Sequence, residues 1–211
     1  MKHLFLTSEV QYVARAIGSK VDSVKKANAV YIVTAIRDKV HSNLDWHHKC
    51  KANMESAGFR FTMYDLTDKS QNQIISELAK YDTMYVEGGN SFYLLQESQK
   101  SGFIPFVQRR VQEGMIYIGT SAGSVIAGPD IEPFRQDDRA ALAPDLKGTQ
   151  GYNLVNFIIC PHWGQEKRRD LFNTYRLNHM YNEDHPFVVL NDHQYVEVVD
   201  DSFSIHTANQ L

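Results

Sequence analysis

The sequence predicts an α/β fold, built as a doubly wound, mostly parallel β-sheet with helices on both faces. Two observations predict it. Short apolar runs alternate along the chain with longer amphipathic or polar stretches, as strands alternate with helices in α/β proteins. Several of these runs are apolar at successive positions, which is typical of parallel strands buried on both faces. The combination favours a parallel sheet that is covered by helices on each side.

The first part of the chain follows this alternation closely. The run Leu4-Phe5-Leu6-Thr7 predicts a first buried strand. A helix expected over 45–58 ends at Gly58, a residue suited to a helix C-terminus. In chain order, we expect strands at 4–7, 29–33, 59–64, 83–86 and 115–118, and helices over 13–26, 45–58, 71–80, 91–101 and 124–128.

The pattern becomes irregular after Gly128. Residues 129–151 hold Pro129, Pro133 and Pro144 among many charges with little periodicity, so we expect a long loop there. Loops of this length inside a compact domain are often functional, and this one is a candidate lid over a site. Regular structure is expected to resume with strands at 157–160, 187–190, 195–199 and 203–206 and a helix over 166–180.

Composition limits the class of protein. The 211 residues are 43% apolar and 22% charged, as in an ordinary globular protein, and we expect a single domain over 1–211. A net charge of -3 argues against a nucleic-acid or anionic-membrane partner. Two cysteines, Cys50 and Cys160, imply neither a disulfide framework nor a metal site. The apolar run near Met1 is too short for a signal peptide and no membrane-length span follows, so we expect a cytoplasmic protein.

The most informative motif is Gly119-Thr120-Ser121-Ala122-Gly123. It lies between an apolar run and a stretch of small residues, and the order strand, Gly-x-Ser-x-Gly, helix exposes a nucleophilic serine on a sharp turn. Side chains at the two glycines would crowd that turn. The alternative is that Ser121 caps the following helix, a common position for serine. The context favours a nucleophile.

A serine nucleophile needs a base, and nine histidines are available. In open α/β sheets, sites lie beyond the carboxyl ends of strands, so candidates should follow apolar runs. His162 follows the run that ends at Cys160, and Pro161 stiffens its approach. His193 and His206 are weaker alternatives near strands. The position favours His162 as the base.

The acidic partner should follow another strand. Asp192 ends the apolar run 188–190 in this way, although Asn191-Asp192 is equally typical of a simple turn. The resulting chain order is Ser121, His162, Asp192. The α/β-hydrolase order, in which the acid precedes the histidine, requires His206 as base and is not favoured.

An oxyanion hole would complete such a site. We expect one donor to be the backbone N–H of Ala122, directly after the nucleophile, and a second to come from the glycine-rich segment that follows the strand at 83–86. The alternatives for this segment are a phosphate-binding loop or the start of a helix, with Asn90 or Ser91 as N-cap.

Three blocks resemble the serine peptidases of the dipeptidase E (aspartyl dipeptidase) type, a family that also includes cyanophycinase. The blocks are Val86-Glu87-Gly88-Gly89-Asn90-Ser91-Phe92-Tyr93-Leu94-Leu95, then Tyr117-Ile118-Gly119-Thr120-Ser121-Ala122-Gly123, then Pro161-His162-Trp163, with a fainter Leu190-Asn191-Asp192. The resemblance implies a fold like that of class I glutamine amidotransferases, with serine in place of their cysteine. It also implies Ser121 as nucleophile, His162 as base and Asp192 as acid, with Gly89 and Ala122 as oxyanion donors.

This chain departs from the family pattern at several positions. Glu87 stands where the family often has a third glycine, Thr120 where dipeptidase E has tryptophan, and Asp192 where it has glutamate. The arginine that reads the substrate aspartate has no clear counterpart, and Lys167, Arg168 or Arg169 would have to replace it. Asn90 and Thr120 are further candidates for substrate contacts.

The sequence therefore predicts a serine peptidase, independent of metal and cofactor, that cleaves dipeptides or short peptides, with a possible preference for an acidic N-terminal residue. One alternative keeps the triad and cleaves isopeptide or ester bonds. Another is an inactive ligand-binding or regulatory module, which a negative Glu87 beside the oxyanion loop would motivate. An amidotransferase-like enzyme is disfavoured because the sharp turn carries Ser121 and not cysteine, and because Cys160 lies within an expected strand. The oligomeric state is left open between a monomer and a small homo-oligomer.

Overall fold

The computed structural model of the protein describes residues 1–37, 44–135, 137–180 and 184–208. The strands are β1 (His3–Thr7), β2 (Ala29–Ile32), β3 (Phe61–Tyr64), β4 (Thr83–Val86), β5 (Ile116–Thr120), β6 (Ile158–Cys160), β7 (Phe187–Val189), β8 (Gln194–Val199) and β9 (Ser202–Thr207). The α-helices are α1 (Val10–Lys20), α2 (Ser23–Ala27), α3 (Asp45–Ser56), α4 (Gln71–Leu78), α5 (Ser91–Lys100), α6 (Phe103–Gln112), α7 (Ala122–Val125), α8 (Asp137–Ala140), α9 (Arg169–Leu171) and α10 (Leu177–Met180).

The main sheet has seven strands in the order β3-β2-β4-β5-β1-β8-β9. Its first five strands are parallel, whereas β8 runs antiparallel to β1, and β9 antiparallel to β8. The carboxyl ends of β1, β4 and β5 therefore lie side by side. The predicted α/β class with a mostly parallel sheet is confirmed.

Two apolar clusters cover the faces of this sheet, because neighbouring side chains on a strand point to opposite sides. In β1, Leu4 and Leu6 pack into one cluster with helices α4 to α7, while Phe5 packs into the other with α1 and α3. In β4, Tyr85 packs into the same cluster as Phe5, whereas its neighbours Met84 and Val86 pack into the other cluster. Helices on both faces explain why successive positions in the middle of these strands are apolar.

A second, two-stranded parallel sheet consists of β6 and β7, with Cys160 opposite Val189. Both strands were predicted, but they lie outside the main sheet. Their carboxyl ends are adjacent, so the two segments that follow them run next to each other.

The helical segments differ from the prediction in four places. The helix expected over 13–26 is interrupted at Val21, which is extended, and Asp22 caps α2. Helix α6 was missed, and it begins directly after Gly102, whose φ is +68°. The loop expected over 129–151 contains a 3₁₀ turn (Glu132–Phe134) and α8, while its residue 136 lies outside the described residues. The segment 166–180 is helical but changes from a 3₁₀ turn to α9, a π-helical turn (Phe172–Arg176) and α10.

None of the helices in the described ranges is both long and apolar enough to cross a lipid bilayer.

Candidate active site

Ser121 occupies a strained turn between β5 and α7. Its φ of +49° and ψ of -110° are unusual for a residue other than glycine, and such strain clusters at functional sites. The flanking glycines make the turn possible. A Cβ at Gly119 would lie 2.5 Å from the carbonyl oxygen of Gly123, and a Cβ at Gly123 would lie 2.1 Å from that of Val86. Only glycine fits at either position.

Ser121, His162 and Asp192 form one hydrogen-bonded chain. The Oγ of Ser121 lies 2.8 Å from Nε2 of His162, and Nδ1 of His162 lies 2.9 Å from Oδ1 of Asp192. The Ser121 hydroxyl makes no capping hydrogen bond to the described α7 helix. The alternative that the sequence left open, in which Ser121 only caps the following helix, is therefore not observed.

The small sheet brings His162 and Asp192 together. His162 follows β6, Asp192 follows β7, and the N–H of Leu190 donates to the carbonyl of Cys160 at 3.0 Å, so the two segments leave the sheet in parallel. The simple turn at Asn191-Asp192, which the sequence left open as an alternative, is also present. Asn191 makes it by accepting the N–H of His193 at 2.9 Å, which leaves the Asp192 carboxylate facing the imidazole.

Two residues that sequence reasoning missed hold this pair. The Oγ of Ser8 accepts the His162 N–H at 2.7 Å and donates to Oδ1 of Asp192 at 2.8 Å. The side-chain amide of Gln165 donates to Oδ2 of Asp192 at 2.5 Å. Ser8 follows β1, whose end lies beside that of β5, and this placement was the one available signal for it.

The electrostatics of the pair suit a neutral base beside an ionised acid. Burial works to raise the pKa of Asp192, but hydrogen bonds from His162, Gln165 and Ser8 outweigh it and lower that pKa to about 2. Burial lowers the pKa of His162, the nearby cations of Arg168 and Arg176 lower it further, and Asp192 offsets part of the effect. His162 is therefore unprotonated at neutral pH and can accept a proton.

The loop after β4 lies against Ser121. A Cβ at Gly88 would sit 3.1 Å from Cβ of Ser121, and one at Gly89, where φ is +133°, would sit 2.3 Å from the carbonyl oxygen of Ala35. The backbone N–H groups of Gly89 and Ala122 have no acceptor among the described residues. Two free donors next to Ser121 match what an oxyanion hole requires.

Glu87 turns away from this loop into the core. Its Oε1 accepts from the Gly88 N–H at 2.9 Å and from the Tyr85 hydroxyl at 3.1 Å, and its Oε2 lies 2.7 Å from Nδ1 of His47. Burial raises the pKa of Glu87 well above its ordinary value and lowers that of His47. A neutral carboxyl that donates to Nδ1 of a neutral imidazole agrees with the direction of both pKa shifts. Burial thus favours the uncharged form of Glu87, whose carboxyl faces Tyr85 and His47.

Two of the predicted substrate contacts have structural partners instead. The Asn90 side chain is buried, caps α5 through the N–H groups of Phe92 and Tyr93, and donates to the carbonyl of Arg139. The hydroxyl of Thr120 is buried and accepts the N–H of Val10 at 3.0 Å. The N-cap alternative for Asn90 is the one observed.

A cavity of about 280 Å³ opens above Ser121 and His162, and Lys167 and Arg168 line it as predicted candidates. Sequence reasoning missed Arg139 and Arg176, which also line it. Arg176 is 5% exposed, lies over the rings of Phe134 and Phe172, and has no hydrogen-bond partner for Nε and Nη1 within the described ranges. An unpaired buried guanidinium that faces a cavity suits an anionic ligand.

The two alternative histidines lie elsewhere. His193 packs against Tyr12, and His206 stacks on Tyr195 and bonds to Ser204.

Across the described ranges, potential metal ligands converge at Glu9, His162 and Asp192, whose ligand atoms lie within 4.8 Å of one another. Nδ1 of His162 is already bonded to Asp192, so this nitrogen belongs to the hydrogen-bonded chain and is not free to bind a metal ion.

The chain is similar to known peptidases. It is 32% identical over 163 residues to the uncharacterized peptidase PM1590 of Pasteurella multocida (strain Pm70), covering 77% of this chain and 78% of that protein. It is 35% identical over 89 residues to Peptidase E of Salmonella newport (strain SL254), covering 42% of this chain and 37% of that protein. A crystal structure of a protein from Listeria monocytogenes EGD-e, provisionally assigned as Peptidase E, superposes with a TM-score of 0.85 and 27% identity, covering 99% of this chain and 100% of that one.

These similarities confirm the predicted family and the fold expected from it. The model of Peptidase family S51 matches residues 4–206. Because the match spans nearly all of the sequence, the protein belongs to Peptidase family S51 and is a peptidase.

Proposed function

We propose that the protein is a serine-type peptidase in which Ser121 is the nucleophile, His162 the general base and Asp192 the residue that orients the base. The observation that supports this most directly is the continuous hydrogen-bonded chain from Ser121 through His162 to Asp192. The 211 residues act as one peptidase unit that needs no metal or cofactor. Asp192 reaches the imidazole although it is one methylene shorter than the family's glutamate.

The proposed reaction follows from the geometry. Nε2 of His162 takes the hydroxyl proton as Oγ of Ser121 attacks the scissile carbonyl carbon. The free N–H groups of Gly89 and Ala122 stabilise the negative charge that develops on the carbonyl oxygen. Protonated His162 then gives its proton to the leaving amine. A water molecule repeats the sequence on the acyl-enzyme and releases the acid.

The cavity supports short substrates with an acidic N-terminal residue. Its volume of about 280 Å³ fits a dipeptide better than a long chain, and Arg176 offers an unused guanidinium inside it. Arg168 already bonds through Nε to the Gln165 amide oxygen at 2.9 Å, so it is less free to bind substrate. We infer that Arg176, rather than Lys167 or Arg168, pairs with the carboxylate of the first residue.

The assignment of the nucleophile is tested by hydrolysis of a dipeptide panel with the wild type, Ser121→Ala and, as a matched control, Ser76→Ala on the exposed side of α4. Ser121→Ala should lower kcat by about 10⁴-fold or more, while Ser76→Ala should leave it unchanged. Equal activity in Ser121→Ala and the wild type would refute the assignment. Ester and isopeptide substrates in the same panel separate the alternative bond types.

The substrate preference is tested with Arg176→Met and the exposed control Arg109→Met. Hydrolysis of Asp-p-nitroanilide should fall by about 10- to 100-fold in Arg176→Met, and that of Leu-p-nitroanilide much less. Thermal unfolding should show a protein at least as stable as the wild type, because an unpaired buried charge is replaced by an apolar side chain. A uniform loss on both substrates would exclude Arg176 as the acidic-residue contact.

A further inference from the structure

Glu9 lies at the edge of the cavity, between the end of β1 and the start of α1. It lines the cavity together with Ser121 and His162, and it is the one carboxylate among the described lining residues. Its carboxylate, a ring nitrogen of His162 and the Asp192 carboxylate lie within 4.8 Å of one another. Glu9 is thus close to the reacting atoms although the proposed reaction gives it no part.

The charge of Glu9 is not neutralised within the described part of the chain. No lysine, arginine or histidine forms an ion pair with it, and its one side-chain hydrogen bond comes from the Cys50 thiol at 3.3 Å, a weak donor. It also makes no capping hydrogen bond to α1. Asp192, by contrast, accepts from a hydroxyl, an imidazole and an amide.

The surroundings leave this carboxylate in need of a cation. Burial raises the pKa of Glu9, and the charge of Asp192 adds to that effect. The Cys50 hydrogen bond and the more distant Arg168 and Lys167 offset only part of it. A half-buried carboxylate that faces a cavity without a counter-ion is stabilised by a ligand that brings a positive charge.

Peptide geometry places such a charge beside Ser121. In an unblocked peptide, the α-amino nitrogen of the first residue lies about 2.5 Å from the carbonyl carbon of that residue. When that carbonyl is attacked, the ammonium must bind within a few ångströms of Ser121 and His162. Glu9 is the available carboxylate at this place, because both oxygens of Asp192 already accept hydrogen bonds.

We propose that Glu9 binds the α-ammonium group of the substrate and thereby restricts the enzyme to peptides with a free N-terminus. This inference rests on the proposed peptidase function. Glu9 and Arg176 then give the cavity one anionic and one cationic contact, which match the ammonium and the side chain of an N-terminal acidic residue. The cut is placed after the first residue, so the enzyme is an exopeptidase.

Two substrates that differ only in the amino group test the proposal. Asp-p-nitroanilide carries the α-ammonium, and the mono-p-nitroanilide of succinic acid lacks it but keeps the carboxylate. Wild-type kcat/KM should be about 10- to 100-fold higher for the first. Glu9→Gln, which keeps the shape and an acceptor for Cys50, should remove that difference by lowering only the first value. Glu113→Gln, on an exposed surface, should behave as the wild type.

The outcomes that would contradict the role of Glu9 can be told apart from those that would contradict the peptidase function. An equal loss on both substrates in Glu9→Gln, or a wild type that does not distinguish them, would overturn the ammonium contact. If Glu9→Gln does not fold, a wild type that does not distinguish the two substrates still overturns the proposal. Calorimetry of Ser121→Ala with Asp-Leu and succinyl-Leu adds a readout that needs no turnover. Binding that depends on the amine would uphold the ammonium contact even if no substrate were hydrolysed, and equal or absent binding of both would refute it.

Discussion

The two halves of the proposed active site are held in different ways. The nucleophile half consists of residues 87–89 and 119–123, the loops that follow β4 and β5, where glycines allow backbone atoms to approach one another closely. The histidine half consists of β6, β7 and the segments 161–165 and 190–192 that follow them, where side-chain hydrogen bonds from Ser8 and Gln165 fix His162 and Asp192. Backbone contacts cannot rearrange cheaply, whereas polar side chains can. Substitutions of the glycines in the first half should therefore damage the fold, and those of the polar side chains in the second half should damage the chemistry.

The largest expected effect is in the nucleophile half, with Gly123→Ala. The added Cβ would lie 2.1 Å from the carbonyl oxygen of Val86, a backbone atom at the carboxyl end of β4. We expect a loss of about 3 kcal/mol or more in the free energy of unfolding, measured by urea denaturation, and no activity. The matched control is Gly148→Ala, where φ is +71° but the nearest atom is 3.9 Å away, and it should cost only about 1 kcal/mol. Similar losses in the two variants would contradict backbone crowding at the turn.

The histidine half should respond oppositely to Asp192→Asn. The amide keeps the size of the side chain but cannot stabilise an imidazolium, so kcat should fall by about 10⁴-fold. The free energy of unfolding should fall as well, because the hydrogen bonds that lower the pKa of Asp192 favour its ionised form, but by less than in Gly123→Ala. Asp145→Asn, at an exposed position, should leave both unchanged. Activity close to wild type in Asp192→Asn would show that another residue orients His162.

The same contrast explains what the sequence could and could not predict. The turn at Ser121 was predictable because its cause is local: two glycines around a serine between an apolar run and small residues. Ser8, Glu9, Gln165 and Arg176 were not, because their roles arise only where distant segments meet. Nothing in the sequence near Arg176 shows that its guanidinium lacks a partner.

Parts of the fold were missed for equally physical reasons. Helix α6 has apolar residues at helical spacing, Phe103, Phe106, Val107 and Val111, which are buried, but Gly102 and Pro105 resemble a loop signal. Proline is tolerated there because it lies in the first turn of the helix. The strands β6 and β7 were predicted, but an apolar run does not reveal which sheet it joins.

A smaller effect is expected in the pH dependence of kcat/KM. Because burial and neighbouring cations lower the pKa of His162, the base loses its proton below the ordinary histidine value of 6.5. Activity should rise with pH, reach half its maximum below pH 6.5 and be constant at neutral pH. Arg168→Gln should move the midpoint upward by less than about 1 pH unit, and the exposed control Arg109→Gln should not move it. A wild-type midpoint above pH 6.5 would contradict this electrostatic account.

The smallest effect is expected for Glu87→Gln. If Glu87 is a neutral hydrogen-bonding group, the isosteric amide should keep kcat/KM within about 3-fold of the wild type. Glu87→Ala should instead destabilise the protein, because Tyr85, His47 and the Gly88 N–H lose a buried partner. A large gain in activity in Glu87→Gln would mean that a negative charge at this position opposes the oxyanion.

The most direct test of the central claim is covalent labelling with a fluorophosphonate, followed by mass spectrometry of the labelled peptide. An activated serine reacts with this reagent, and an ordinary hydroxyl does not. We expect one adduct, on Ser121, formed rapidly at neutral pH and at a much lower rate in Asp192→Asn. An unlabelled Ser121 in folded wild-type protein, or an adduct on a different serine, would contradict it.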